Sequence, residues 1–167
     1  PLPDEEGHLA EEALEVILGE LEGYDALALG PGLGTAPSTV EVVCGLLRRA
    51  RQPLVLDADG INCAAARPDA LEDRTHPTLI TPHPGELGRL LGKGAREVQR
   101  ARLESVARAA ERYGCAVVLK GAYSLIASER GAIHINPMAI PALATAGSGD
   151  VLTGCAAAFL AQGIDPE

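Results

Sequence analysis

The chain has 167 residues, a formal net charge of −9 and a sequence pI near 4.9, so nucleic acid and anionic membranes, which attract basic surfaces, are not expected as partners. Apolar residues make up 47% of the chain and charged residues 22%, as in an ordinary globular domain, and no apolar run reaches the ~20 residues of a membrane-spanning helix. The four cysteines are widely spaced without a CxxC pair, which argues against a zinc site and favours the reducing cytoplasm as the location.

The predicted elements of the first half alternate between helix and strand. Apolar positions at helical spacing predict a helix from Leu9 to Leu21. The short apolar run 25–29 predicts a buried strand, which ends at a glycine-rich loop. Ser38, with Glu41 three residues later, predicts a capping box for a helix that continues to Ala50. A second buried strand over 53–57, a short helix over 60–66 and a turn or short helix over 68–73 follow.

The second half continues the alternation and adds a hairpin. A third strand is predicted over 78–81, before a short helix that carries Leu87, Leu90 and Leu91 inward. A long helix is predicted over 95–112 and a fourth strand over 115–119. The segments 124–127 and 132–135 are typical of a β-hairpin, and the apolar run 151–160 predicts a final helix.

This order of elements predicts an α/β fold. The four strands lack polar alternation, which indicates a mostly parallel sheet covered by helices on both faces. In such sheets ligands bind at the carboxyl ends of the strands, and unusual loops follow those ends at Gly30, Asp57, His83 and Lys120. We expect residues 1–167 to form one domain, cut from a longer protein because the chain lacks an initiator Met and stops just after a helical run.

The segment 144–150 leads into the final helix through two glycines and ends at an acidic residue. A glycine-rich turn before a helix offers free N–H groups to an anion. A carboxylate beside these groups would repel the anion, and its presence is explained if it accepts a proton during a reaction. We therefore interpret Asp150 as a base that deprotonates a hydroxyl about to meet a phosphoryl group, with Gly147, Ser148 and Gly149 as the anion hole. The alternative is that Asp150 only caps the helix.

The loops after the first two strands have two interpretations each. The glycines at 30–34 let the backbone approach a ligand closely, or simply form a tight turn. Asp57 and Asp59, with Asn62, are suited to a hydrated Mg²⁺ or to a sugar, or Asp59 caps a helix.

The loops after the third and fourth strands also carry polar groups. Two prolines bracket His83, and a rigid loop that presents one ring favours a ligand over a surface role. Glu86 belongs either to an Mg²⁺–phosphate network or to the first turn of a helix, where its charge complements the dipole. Lys120, followed by Gly121, is either a nucleotide contact or a solvated surface lysine.

These motifs occur together in one known family. Gly30-Pro-Gly-Leu-Gly34, Asp57-Ala-Asp59, Thr81-Pro-His-Pro-Gly-Glu86, Lys120-Gly121 and 144–154, in this order, resemble the ADP/ATP-dependent NAD(P)H-hydrate dehydratases, which have a ribokinase-like fold. The Gly-Ser-Gly-Asp turn alone indicates only the ribokinase-like superfamily. The resemblance covers nearly the whole chain and implies a partial domain of that fold.

The resemblance implies a repair reaction on the S-form of hydrated NADH or NADPH. A nucleotide, ADP or ATP with Mg²⁺, would phosphorylate the ring hydroxyl, and loss of phosphate would restore NAD(P)H. Gly34, His83 and Asp150 would contact the hydrated dinucleotide. No direct metal ligand is implied beyond an Mg²⁺ network of Asp57 and Glu86. The adenine nucleotide would contact Lys120, Gly121, Ala122, Tyr123, Ser124 and Gly149.

The resemblance also implies a homo-oligomer, and an epimerase domain fused upstream in the parent protein is a further hypothesis. Two other functions use the same residues. A ribokinase-like kinase of a vitamin precursor would use Asp150 and release a stable phosphate ester. An inactive fragment would bind nucleotide without turnover.

Overall fold

The computed structural model describes residues 2–166 and forms one six-stranded mixed sheet with helices around it. The strands are β1 (Asp4–Glu5), β2 (His8–Leu9), β3 (Leu27–Leu29), β4 (Leu54–Leu56), β5 (Thr78–Ile80), β6 (Ala116–Leu119), β7 (Leu125–Ala127) and β8 (Ile133–Ile135). The helices are α1 (Ala13–Glu20), α2 (Pro37–Arg49), α3 (Ala58–Ala66), α4 (Asp69–Glu72), α5 (Pro84–Leu91), α6 (Ala95–Arg100), α7 (Arg102–Tyr113) and α8 (Ser148–Ala161). Short 3₁₀ turns lie at Leu21–Gly23 and Pro141–Leu143.

The sheet has the order β3-β4-β5-β6-β7-β8, and β1 and β2 form a separate antiparallel ribbon. The pairs from β3 to β6 are parallel, while β7 and β8 are added as an antiparallel hairpin. Helices connect the parallel strands, as this geometry requires. The α/β architecture, the four parallel strands and the hairpin predicted from the sequence are confirmed.

The two faces of the sheet are covered unequally. The register places alternate residues of every strand on one face, and this face supplies the hydrophobic core together with α1 to α7. The opposite face packs against α8 at β3 and β4. At the β7–β8 hairpin that face is open, since Ile126 and His134 on it are exposed. The core residues of the covered face are Leu29, Leu54, Leu56, Ile80, Val117, Leu119, Leu125 and Ala127.

The ends of β3 and β4 approach each other so closely that glycine is required. Gly30 has φ +141°, and a Cβ placed on it would lie 1.7 Å from the carbonyl oxygen of Asp57. A Cβ on Gly60 would lie 2.7 Å from the carbonyl oxygen of Leu29. Because both residues are glycines, the backbone of the β3 loop can pack directly against the backbone at the start of α3.

Several predicted boundaries differ from the structure. The predicted first helix begins at Ala13 instead of Leu9, because His8–Leu9 pairs with β1. The capping box of Ser38 and Glu41 is wrong, since α2 begins at Pro37, its N-cap is Ala36 and no side chain caps it. The N–H of the first helical residue has no partner within the helix, and proline has no N–H, so proline is well suited to this position and the helix starts there.

Two further helices differ in extent. The predicted long helix over 95–112 is divided at Ala101, which has φ −130° and ψ 51°. The break lets α6 pack on α5 while α7 packs on β6 and β7. The final helix begins at Ser148 instead of Val151, so Asp150 lies inside its first turn. None of the helices within residues 2–166 combines the length and hydrophobicity needed to span a bilayer.

Candidate active site

The amino end of α8 is built by a left-handed turn. Gly147, with φ +85°, is the N-cap, and no side chain caps the helix. The Ser148 N–H already bonds to the Thr145 carbonyl at 3.3 Å, while Gly149 and Asp150 are the next amides of the first turn. First-turn amides lack partners within the helix and carry the positive end of its dipole, so they are available to an anion.

A buried ion pair lies directly beside this turn. Lys120 Nζ is 2.6 Å from Asp57 Oδ1, and Thr153 Oγ1 donates to Asp57 Oδ2 at 2.8 Å. The Asp57 side chain is only 2% exposed. Burial raises the pKa of Asp57, but hydrogen bonds from Lys120, Thr153 and Thr81 outweigh burial, and the net pKa lies below its usual value. Asp57 is therefore an anion in the fold and holds Lys120 at the ends of β4 and β6.

Gly149 brings the helix turn to this pair. A Cβ on Gly149 would lie 3.6 Å from Asp57 Oδ2 and 3.7 Å from Lys120 Nζ. Gly149 and Thr153 lie four residues apart, on the stripe of α8 that faces the sheet. Asp150 is the next residue around the helix, and its side chain is exposed. The turn thus presents an amide and a carboxylate at the edge of a buried ion pair.

The loop after β5 supplies a second carboxylate. His83 is the N-cap of α5: its Nδ1 accepts from the amides of Gly85 at 2.9 Å and of Glu86 at 3.3 Å. Glu86 Oε2 accepts from the His83 N–H at 2.7 Å, which completes a capping box. Glu86 is buried and its Oε2 lies 3.9 Å from Lys120 Nζ. The two predictions for Glu86 are therefore not exclusive, because it serves the helix start and also faces the lysine.

The glycine loop after β3 joins the site through Asp59. The Gly34 N–H donates to Asp59 Oδ2 at 2.9 Å, and Asn62 donates to Asp59 Oδ1 at 3.3 Å. Asn62 in turn accepts from Arg89 of α5 at 2.9 Å. Asp59 is not the N-cap of α3, since that position is Asp57. This chain of contacts links the loop after β3 to helices α3 and α5.

The loop Lys120–Ser124 follows β6 and runs along the surface next to the ion pair. Gly121 has φ +132° and Tyr123 has φ +55°, so the loop turns sharply. Residues 121–123 are exposed, and Ser124 donates to the Gly121 carbonyl at 3.0 Å. Five of the predicted nucleotide residues, 120–124, therefore form one compact turn, anchored where Lys120 meets Asp57, and the sixth, Gly149, lies on α8.

The structure thus assembles most of the predicted residues at one edge of the sheet. Lys120, Asp57, Glu86 and Gly149 come together directly, and His83 joins them through Glu86. Gly34 belongs to the adjacent Asp59 network. The individual roles predicted for Gly34, His83, Asp150 and the loop residues stay predictions.

Comparison with known proteins identifies the relationship. A family model described as Carb_kinase, NAD(P)H-hydrate dehydratase, matches residues 1–167. The chain belongs to the NAD(P)H-hydrate dehydratase family. This confirms the family predicted from the five motifs of the sequence.

Relatives with names that bear on function include two bacterial proteins. The chain is 45% identical over 160 residues to the bifunctional NAD(P)H-hydrate repair enzyme Nnr of Moorella thermoacetica, an alignment that covers 96% of this chain and 30% of that protein. It is 38% identical to the ADP-dependent (S)-NAD(P)H-hydrate dehydratase of Neisseria meningitidis, over 88% of this chain and 51% of that protein. The chain therefore spans about a third to a half of the length of these curated relatives.

Solved structures agree with the family and the fold. The ADP/ATP-dependent NAD(P)H-hydrate dehydratase of Bacillus subtilis, co-crystallised with ATP/Mg²⁺ and soaked with CoA, has a TM-score of 0.71 at 31% identity, over 96% of this chain and 66% of that chain. A ribokinase-like superfamily protein of Enterococcus faecalis has a TM-score of 0.75 at 28% identity, over 91% of this chain and 52% of that chain. The predicted ribokinase-like fold is confirmed.

The sequence analysis assigned no role to two residues of the site: Thr153, inside the last family motif, and Arg102, outside all of the motifs. Thr153 is a polar residue in an apolar helical run, four residues after Gly149, and this spacing is a signal that it shares the face of Gly149. Arg102 donates to three backbone carbonyls around the Lys120–Ser124 loop. No sequence motif marks Arg102, because its partners lie 17 to 21 residues away.

The residues at this edge fit an Mg²⁺ ion that is carried mainly by a nucleotide. Asp57 and Glu86 offer carboxylate oxygens, the ligand type that Mg²⁺ prefers, but both are already engaged by other side chains or amides. Within residues 2–166 no group of three or more His, Cys, Asp or Glu side chains is arranged to hold a metal ion. Mg²⁺ commonly keeps several waters and binds phosphates, which agrees with a site of few protein ligands.

Proposed function

We propose that this chain carries the site for nucleotide-dependent dehydration of the S-form of hydrated NADH or NADPH, using ADP or ATP as phosphoryl donor and acting as a hydro-lyase. One observation carries the proposal: Gly149 of the α8 turn lies against the Asp57–Lys120 pair, while the neighbouring Asp150 carboxylate is exposed. Family membership and the named activities of the relatives support the same reaction.

The transfer step uses the exposed carboxylate and the helix amides. Asp150 takes the proton of the ring hydroxyl, and the hydroxyl oxygen forms a bond to the terminal phosphorus of the nucleotide. The bond from that phosphorus to the bridging oxygen breaks, so AMP leaves when ADP is the donor and ADP leaves when ATP is. The amides of Gly147 and Gly149 hold the charge that develops on the phosphoryl oxygens, whereas the Ser148 N–H of the predicted anion hole is bonded to the Thr145 carbonyl.

The elimination step restores the dinucleotide. The C–O bond of the phosphorylated ring breaks, phosphate leaves with the bonding electrons, and a neighbouring ring carbon loses a proton to solvent water as the double bond re-forms. Hydroxide is a poor leaving group and phosphate a good one, which explains why a dehydration consumes a nucleotide.

The surrounding loops would bind the two substrates on opposite sides of Asp150. Gly34 and His83 would contact the hydrated dinucleotide, with His83 held rigid by its cap on α5. Lys120–Ser124 and Gly149 would contact the adenine nucleotide. Mg²⁺, when bound, would neutralise phosphate charge, and Asp57 and Glu86 would hold it through its waters.

The organisation of the parent protein is part of the proposal. Residues 1–167 would be one partial dehydratase domain, and a fused epimerase domain would agree with relatives that are named bifunctional and are much longer than this chain. A homo-oligomer in the cytoplasm is the remaining prediction.

The proposal is tested by incubating hydrated NADH with the chain, Mg²⁺ and either ADP or ATP, and following the absorbance of reduced nicotinamide. Asp150→Asn is expected to slow turnover by about 100- to 10,000-fold, because the base is lost, while ADP affinity measured by calorimetry stays the same. Glu111→Gln, at another exposed acid, is the matched control and is expected to keep the parent rate.

Asp150 is not the base if the Asn variant turns over at the parent rate. Accumulation of a stable phosphate ester without NADH would instead indicate a kinase. ADP binding without either product would indicate a nucleotide-binding fragment.

A further inference from the structure

Arg102, the first residue of α7, lies next to the loop that follows β6. We propose that Arg102 is a positioning residue that fixes the Lys120–Ser124 loop so that its amides face the nucleotide phosphates. The inference rests on the proposed function, since the nucleotide role of this loop belongs to that proposal.

The guanidinium of Arg102 contacts the last residue of β6, the first residue of the loop and Tyr123 near its end. Nη2 donates to the carbonyls of Leu119 at 3.3 Å and Tyr123 at 3.4 Å, and Nη1 donates to the carbonyl of Lys120 at 3.4 Å. Gln99 Oε1 accepts from Nη1 at 3.1 Å and holds the group from the α6 side. One side chain on a helix therefore ties together three peptide units of one turn.

These contacts determine which way the loop amides point. A trans peptide unit directs its N–H opposite to its C=O, so the amides that follow the Lys120 and Tyr123 carbonyls point away from Arg102. These are the amides of Gly121 and Ser124, and neither donates a hydrogen bond to another group within residues 2–166. Both amides of this turn are therefore free to donate hydrogen bonds to an anion on the side of the loop away from Arg102.

The backbone of the loop needs such support. Tyr123 has φ +55°, which a residue with a side chain adopts at a free-energy cost and keeps only where its surroundings hold it. Gly121 has φ +132°, and a Cβ there would lie 3.2 Å from Nη1 of Arg102. The guanidinium therefore packs directly under the turn, at a distance that a larger residue at position 121 would disturb.

The same guanidinium also borders a cleft, which offers a different role for it. Arg102, Arg96, Gln99, Pro84, Ala95 and Gly121 line a cleft of about 450 Å³. An anion in this cleft would be attracted by both arginines. The three carbonyl contacts are made by Arg102 and not by Arg96. A comparison of variants at the two positions therefore distinguishes positioning of the loop from attraction of an anion by charge.

The test compares Arg102→Gln with Arg96→Gln, which removes the same charge from the same cleft. We measure ADP affinity by calorimetry with Mg²⁺, and the KM for ADP, the KM for hydrated NADH and kcat. Arg102→Gln is expected to raise the Kd and KM for ADP by about 10- to 100-fold, because a misplaced loop no longer meets the phosphates. The KM for hydrated NADH is expected to change less than about twofold, and Arg96→Gln is expected to match the parent in every constant.

Arg102→Lys is the conservative variant. An ammonium keeps the charge but lacks the planar fork that reaches several carbonyls, so partial recovery of ADP affinity is expected. If circular dichroism shows that Arg102→Gln does not fold, Arg102→Lys and Gly121→Ala are compared with Arg96→Gln in the same measurements. Backbone ¹⁵N order parameters of residues 121–124 are measured by NMR in all variants and are expected to fall when Arg102 is changed, because the turn becomes more mobile.

Three results would overturn the inference. Equal losses in Arg102→Gln and Arg96→Gln would assign the effect to charge in the cleft. Unchanged ADP affinity in Arg102→Gln, or unchanged order parameters in the loop, would remove the positioning role. Lys120→Ala and Ser124→Ala serve as references. If they leave ADP affinity unchanged, the proposed nucleotide site fails, and the loop order parameters still decide whether Arg102 fixes the turn.

Discussion

Lys120 Nζ lies 2.6 Å from Asp57 Oδ1, although the two residues are 63 positions apart in the chain. The Asp57 side chain is almost fully buried and that of Lys120 is 23% exposed. This pair joins the end of β4 to the end of β6 and lies beside the first turn of α8. This contact connects the loops of the candidate site, so that the position of each loop depends on the others.

The first prediction concerns acid stability. The pKa of Asp57 is lowered in the fold, so its ionisation stabilises the protein above its unfolded pKa near 4, and this contribution is lost as the pH falls through the lower folded pKa. Asp57→Asn is expected to lower the free energy of unfolding by about 2 kcal/mol at neutral pH, since Lys120 loses its anion. Urea unfolding at several pH values measures both effects.

The difference between parent and Asp57→Asn is expected to shrink below about pH 4. Asp25→Asn, at an exposed aspartate, is the control and is expected to unfold like the parent. A difference that stays constant down to about pH 3 would show that the Asp57 charge does not provide this stability.

The second prediction concerns Thr153, whose hydroxyl is buried against Asp57. Thr153→Val keeps the shape of the side chain but removes the donor at 2.8 Å, so we expect a loss of about 1.5 kcal/mol in the free energy of unfolding. Thr153→Ser keeps the hydroxyl and is expected to retain most of this hydrogen-bond contribution.

A double-mutant cycle with Asp57→Asn separates this contact from general packing. The two substitutions are expected to be non-additive, because each removes the same hydrogen bond. Strict additivity would mean that Thr153 stabilises α8 without Asp57.

The third prediction concerns the close approach at Gly30. Gly30→Ala would place a Cβ 1.7 Å from the Asp57 carbonyl oxygen, so the β3 loop and α3 must separate. We expect a loss of at least about 3 kcal/mol, or failure to fold, as measured by thermal and urea unfolding.

Gly32→Ala is the matched control in the same loop. Gly32 also has a positive φ, +75°, but a Cβ there would meet nothing within 4 Å. The expected cost is about 1 kcal/mol, from backbone conformation alone. Similar losses at both positions would show that the contact with Asp57 is not the reason for glycine at position 30.

The fourth prediction concerns cysteine reactivity. Cys44, Cys63 and Cys115 are buried and Cys155 on α8 is exposed. Burial raises the pKa of the Cys63 thiol to about 11 and that of Cys115 to about 12, so both are protonated at neutral pH as well as shielded. Alkylation of the native protein near pH 8, read by mass spectrometry, is expected to modify Cys155 alone.

Cys155→Ser is expected to abolish fast labelling, while denaturation of the parent is expected to expose all four thiols. Fast labelling of the native Cys155→Ser variant would contradict the burial of the other three cysteines.

Local patterns predicted much of the fold. The runs that became β3 to β6 are short and apolar without alternation, which indicates strands buried on both faces in a parallel sheet. Helix ends were predicted less well: proline at position 37 started α2 before the expected Ser38, and a histidine, His83, took the capping role usually played by serine or threonine.

Contacts between distant residues could not be read from the chain. The motifs placed Asp57 and Lys120 at strand ends, but strand order and register decide whether two strand ends lie within hydrogen-bond distance. Arg102 carries no motif, and its partners in the 119–123 turn depend on the break at Ala101, which orients α7 separately from α6.

The family, the α/β class and the loops at the carboxyl edge of the sheet follow from the sequence alone, because they depend on motifs and short-range apolar patterns. That Gly149 meets the Asp57–Lys120 pair while Asp150 stays exposed depends instead on how α8 packs on the sheet. Successive residues in a helix turn by about 100°, so the packing of Thr153 and Leu160 on the sheet sets which of these two neighbours faces the pair.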